Sequence, residues 1–150
     1  MAPRTIVLDA NVLMRAVLGR KVAGLLERFA PQVTFLAPDV AFDDVREHLA
    51  AVLAKRGATS ALQAALDKLS ALQTAVQPVD QAEYEAMKSA ALARIGPRDP
   101  DDWPVLACAL VLNCPVWTED KDFFGTGVAT WTTALVELYF TEPDPGPAEH

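Results

Sequence analysis

Short apolar runs and longer apolar stripes take turns along this chain. Thr5–Leu8 (TIVL) and Val33–Leu36 (VTFL) are β-branched runs, and Pro115–Thr118 (PVWT) has the same style. Ala75–Val79 and Val128–Thr130 are two further strand candidates. Short runs that do not alternate apolar with polar residues suit strands buried on both faces of a parallel sheet. Between them lie stripes at helical spacing: Val22, Leu25, Leu26 and Phe29, then Ala41, Val45, Leu49 and Val52, then Leu62, Leu66, Leu69 and Leu72. Asp80 with Glu83 forms a capping pair for a helix that would carry Tyr84, Met87 and Ala91 inward. Strands alternating with helices imply right-handed crossovers and an α/β sandwich. Neither a repeat nor a linker interrupts the pattern. The expectation is one domain over residues 1–140, followed by a flexible tail at 141–150 that is rich in Pro and acids.

The composition is that of a globular domain large enough for one hydrophobic core: 150 residues, 51% hydrophobic and 22% charged. No apolar run approaches the roughly 18 residues that span a bilayer. The start, MAPRTIVLD, has no long apolar stretch and no small-residue cleavage site, so a cytoplasmic protein without a signal peptide is expected. Cys108 and Cys114 stand in apolar surroundings and are expected to be reduced, buried thiols. Neither belongs to a CxxC or Cys/His cluster, which speaks against structural zinc. A net charge of −7 argues against a phosphate-backbone partner, unless the acids gather where divalent cations would reverse their sign. Their positions therefore matter more than their number.

Ligands of an open α/β sheet bind beyond the carboxyl ends of its strands. Asp9 directly follows TIVL, and a carboxylate backed by apolar residues needs a cation, a donor or a proton. Capping the helix that begins near Ala10 is the structural alternative for Asp9, and Asn11 could do the same. In RDPDDWPVLACALVL, Asp99 is a natural N-cap, Pro100 fits the first helical position, and Asp101 and Asp102 suit the helix dipole. Asp102 alone precedes Val105, Leu106 and Ala109 by three, four and seven residues, which sets it on their buried face. PVWTEDKDFFGTG places Thr118, Glu119, Asp120 and Asp122 beyond another strand, either as a solvated turn or as a second source of carboxylates. APDVAFDDVREHL supplies Asp39, Asp43, Asp44 and Glu47. Glu47 lies opposite the apolar stripe, and Asp43 and Asp44 flank it on either side.

Several carboxylates without His or Cys form a hard oxygen donor set that suits Mg²⁺ or Mn²⁺. Such an ion can activate water and stabilise both oxygens of a phosphodiester displacement. The histidines are His48 and His150, so a two-histidine ribonuclease mechanism is out of reach. There is no GxSxG and no GxxxxGK[ST]. A glycosidase needs two carboxylates, fewer than are offered here. An aspartyl phosphatase would want a second Asp where Asn11 stands.

From Thr5 to Tyr139 the chain resembles the PIN-domain family, including the VapC-type toxins of bacterial toxin–antitoxin pairs. IVLDANVL, APDVAFDDVREHL, RDPDDWPVLACAL and VWTEDKDFFGTGV carry the resemblance through their order and spacing. It implies a three-layer α/β/α sandwich around a mostly parallel five-stranded sheet. It also implies a metal-dependent endoribonuclease that cuts single-stranded RNA with water activated by Mg²⁺ or Mn²⁺. Carried over residue by residue, the metal-site acids are Asp9, Asp44, Asp102 and Asp120, with Asp122 as an auxiliary and Asn11 and Thr118 as supporting polar groups. The family usually has Glu where Asp44 stands, six residues after Pro38, and the chain here is one methylene shorter. A cognate antitoxin and a homodimer are further implied partners, with no membrane. The alternative is a catalytically weak or inactive PIN fold that binds RNA or protein. Arg15, Arg46, Arg98 and Lys121 are candidates for phosphate contacts, with plain surface charge the favoured reading. Trp103, Trp117 and Trp131 are expected in the core rather than stacked on bases.

Overall fold

The computed structural model describes residues 4–142. Five strands form one sheet: β1 (Arg4–Leu8), β2 (Val33–Pro38), β3 (Val76–Val79), β4 (Val116–Trp117) and β5 (Thr130–Trp131). Their order is β3-β2-β1-β4-β5, and every pairing is parallel. The helices are α1 (Ala10–Leu18), α2 (Lys21–Phe29), α3 (Asp39–Lys55), α4 (Leu62–Ala75), α5 (Gln81–Tyr84), α6 (Lys88–Ile95), α7 (Trp103–Leu112) and α8 (Val136–Thr141). The expected α/β/α sandwich is therefore present, with the sheet parallel throughout. Among the described residues no helix is long and apolar enough to cross a membrane. The tail expected at 141–150 lies, beyond Glu142, outside the described residues.

The period of two in the strands divides the core. Ile6, Leu8, Phe35 and Ala37 point to one side, where they meet α1 to α4 and Phe140 of α8. Val7, Val79 and Val116 point to the other, against Tyr84, α6 and the apolar α7. Ile6–Leu8 and Phe35–Ala37 are covered on both faces, which is why these stretches read as continuous apolar runs.

Some details depart from expectation. α4 runs through Ala75, so β3 begins one residue later than the apolar run, and β5 is displaced to Thr130–Trp131. The helix after Asp80 is interrupted by a 3₁₀ turn at Glu85–Met87. One α-helical phase therefore does not extend from Tyr84 to Ala91, and Met87 is 37% exposed rather than inward. Trp117 is fully buried, but Trp103 and Trp131 are only half-buried, each packed at the margin of a core cluster. Cys114 is half-buried rather than buried, and both cysteines are free.

One acid at a strand end is committed to architecture. Asp39 accepts hydrogen bonds from Val40 N (2.8 Å), Gln81 N (3.3 Å) and the hydroxyl of the buried Tyr84 (2.9 Å). It thereby ties the start of α3 to the start of α5. Tyr84→Phe removes a hydrogen bond to a charged acceptor and is expected to cost about 1.5–3 kcal/mol. The check is a lower urea midpoint at unchanged m-value.

Candidate metal centre

β1 is the strand at which the chain reverses its direction of growth across the sheet: β2 and β3 extend from one side of it, and β4 and β5 from the other. Such a switch point opens a crevice at the carboxyl ends of the two central strands. Asp9 follows β1 there, and Thr118 follows β4.

Asp9 is 5% exposed, and both of its carboxylate oxygens are engaged by hydrogen-bond donors. Its Oδ1 accepts from Val12 N (2.9 Å), capping α1, while Oδ2 accepts from the hydroxyl of Thr118. The same Thr118 oxygen accepts from Asp120 N (2.9 Å), and Asp120 Oδ1 accepts from Asp122 N (2.9 Å). One buried hydroxyl thus sets the spacing between the acid after β1 and the acids after β4. Burial pushes the Asp9 carboxyl up to about 6; the bonds from Thr118 and Val12 oppose this, and the charges of Asp120 and Glu119 add to it.

Asp102 arrives from the other side, ahead of α7. Asp99 caps the turn through Asp101 N (3.2 Å), with Pro100 in the first position as expected. The turn at Pro100–Asp102 is 3₁₀ rather than α. Asp99 stands just before this turn as its cap, and Asp102 closes it three residues on. Ligand oxygens of Asp99, Asp102 and Asp120 all lie within 4.8 Å of one another. Burial is the largest cause raising the Asp102 carboxyl, to about 8, and hydrogen bonds and like charge from Asp99 and Asp120 add to it. A pocket of about 270 Å³ gathers Asp9, Asn11, Asp99, Asp102, Glu119 and Asp120, and no Lys or Arg lines it.

The sequence reads Asp99 only as a cap, and names Glu119 among the carboxylates beyond the strand without singling it out as a site residue. The i, i+3 spacing of Asp99 and Asp102 was the available signal for the first. Glu119 accepts from Thr133 N at 2.6 Å, which holds the segment after β5 beside the pocket. Asp122 is outside the three-carboxylate group, and its backbone N–H serves Asp120. Asp44 is exposed and lines a neighbouring cleft with Asn11, His48, Asp101 and Trp103. Desolvation raises its carboxyl, with His48 opposing and Glu47, Asp43 and Asp101 reinforcing. Arg98 is occupied by the carbonyls of Phe124 (2.5 Å) and Arg94 (3.1 Å), and Arg46 by Asp43 (2.9 Å).

The donor set fits a hard divalent cation. All the ligand atoms are carboxylate oxygens and they converge without a cationic side chain among them; the Asp102 carboxyl, raised by burial and further by hydrogen bonds and like charge from Asp99 and Asp120, is the one a cation would most relieve.

A family model described as the PIN domain matches residues 7–141. No curated protein matches the chain significantly. Among solved structures, the chain is similar to VapBC2 from Rickettsia felis bound to a DNA fragment from its promoter. The TM-score is 0.66 at 12% identity, covering 85% of this chain and 98% of that one. It is also similar to a toxin–antitoxin complex from Klebsiella pneumoniae, with a TM-score of 0.56 at 18% identity, covering 85% and 97%. At these identities the likeness is one of fold.

Proposed function

The chain belongs to the PIN-domain family, and on that footing we propose that it is a metal-dependent endoribonuclease cutting single-stranded RNA, the toxin of a toxin–antitoxin pair. The observation that carries this reading is the convergence of Asp99, Asp102 and Asp120 within 4.8 Å at the sheet's switch point, beside the buried Asp9. PIN domains are generally nucleases, and both similar structures are toxin–antitoxin complexes, which supports a cognate antitoxin as partner.

Asp99, Asp102 and Asp120 would hold Mg²⁺ or Mn²⁺, with Asp9 completing the wall of the pocket. When bound, such an ion supplies Lewis-acid stabilisation of phosphodiester charge and acidifies water. The rest is the chain's own contribution. Val12 N–H and Thr118 fix both oxygens of Asp9, so its orientation is set before any ligand arrives. Thr118 also fixes the backbone of Asp120. Asp44 and Asn11 line the adjoining cleft, and Asn11 also borders the acid pocket. Asp122 supports the turn.

The test is cleavage of a single-stranded RNA by the purified protein with Mn²⁺ or Mg²⁺, repeated in EDTA. Cutting that requires the ion is expected. Cutting that persists in the chelator would sink the metal mechanism.

A further inference from the structure

Asn11 lines a third cavity besides the acid pocket and the cleft that carries Asp44. It is a groove of about 520 Å³ between the end of α1 and the start of α2. Arg15, Arg20, Lys21 and Arg56 line it, and no acid does. In a chain with twenty acids and thirteen Lys and Arg, that is a marked segregation of sign. Among the described residues the salt bridges are Arg28–Glu137 and Arg46–Asp43, so none of the four groove cations is paired. Arg15 Nε donates to Asn11 Oδ1 (3.0 Å), which steadies its guanidinium at the boundary between the two cavities. Arg20 and Lys21 open α2, whose first turn has neither a side-chain cap nor an acid. Its free backbone N–H groups therefore add to the positive potential.

We propose that this groove holds the phosphate backbone of single-stranded RNA and leads the strand onto the acid pocket. The proposal rests on the nuclease reading and adds to it the path of the substrate. Continuity supports it: Asn11 belongs to both cavities, and Thr133, in the groove, donates through its N–H to Glu119 in the pocket at 2.6 Å. A strand can pass from one to the other without leaving the surface. The net charge of −7 does not forbid this. Exposed charges are screened beyond about 8 Å at physiological salt, so the four local cations govern a phosphate in the groove. Contacts of this kind position a strand without reading its bases.

Anisotropy of a fluorescein-labelled 12-nucleotide RNA in EDTA, where no turnover is expected, tests the groove apart from the chemistry. Four neutralised phosphates at about 0.7 each give a log–log salt slope near −2.8. The triple variant Arg20→Gln, Lys21→Gln, Arg56→Gln changes only exposed side chains. It is expected to bind at least about tenfold more weakly, with a slope shallower by about 2. With Mn²⁺ its KM should rise while kcat holds. Lys68→Gln, on the exposed face of α4, should change neither affinity nor slope. A triple variant that binds and cuts like the wild type overturns the groove while leaving the nuclease reading intact. Groove-dependent binding with no cutting under Mn²⁺ supports the groove and sinks the nuclease reading. Wild-type protein that fails to bind the RNA, or poly-L-glutamate competing as well as RNA of equal charge, overturns the polynucleotide assignment.

Discussion

Asp102→Asn is expected to slow RNA cleavage by about a hundredfold or more while raising the melting temperature of the metal-free protein. The two effects have one origin. Asp102 is held against Asp99 and Asp120 with its carboxyl raised to about 8, so the metal-free fold tolerates this group mainly in protonated form. An amide keeps the shape and the capacity to donate, and it folds without the proton uptake that the carboxyl needs at neutral pH. It also removes an anionic oxygen from the set that would bind the cation. Function and stability therefore pull in opposite directions at this residue, as is common where a site concentrates like charges. Initial rates with Mn²⁺ and thermal melts in EDTA read the two arms separately. Slow cleavage accompanied by a lower melting temperature would reassign Asp102 to the architecture. Asp9 is a less clean target, because its Oδ1 also caps α1, a bond worth about 1 kcal/mol by itself.

The second large effect is a coupling between pH and metal. Asp9 is raised to about 6 and Asp102 to about 8, against an unfolded value near 3.9. Between these limits the folded chain binds more protons than the unfolded one, so stability falls as pH rises. The contribution of both groups is fully present below about pH 4 and is lost as pH climbs through about 6 and then about 8. The metal-free protein should accordingly melt lower at pH 8 than at pH 5. A bound divalent cation reverses this trend, since it needs the deprotonated form. At a free ion concentration one hundred times Kd, the stabilisation is about 2.7 kcal/mol, or roughly 5–10 °C at this chain length. The rise with Mn²⁺ should be greater at pH 8 than at pH 5. Melting temperatures that ignore Mn²⁺ at both pH values would favour a non-catalytic binding module over a nuclease.

The sheet was legible because its physics is written locally. TIVL and VTFL lie on the central strand and its neighbour, where both faces are covered and apolar residues dominate. The outer strand β5 has two half-buried residues, so the run at Val128–Thr130 carried little register information. The interruption at Glu85–Met87 could not be read from apolar spacing, which assumes one helical period throughout. At the centre, Asp102 was visible from its phase with Val105, Leu106 and Ala109. Asp99 was hidden because a cap and a cluster member have the same one-letter signature, and here it is both. Spacing from Pro38 singles out Asp44. The helix carrying it is where the pattern expects, but side-chain reach decides which cavity an acid faces, and here it lines the neighbouring cleft.

The hydrogen bond from Thr118 to Asp9 closes a loop of 109 residues. β1 and β4 sit side by side, although most of the chain is synthesised between them. A ribosome-bound chain lacking its last portion has Asp9 but neither Thr118 nor Asp120 to set beside it. The carboxylate cluster therefore belongs to the whole fold and to no fragment of it. Nascent chains should be inert, and a single unfolding transition should abolish activity together with structure. That long closure works as a delay line, keeping the carboxylates apart until β4 and the turn after it have been synthesised and docked beside β1.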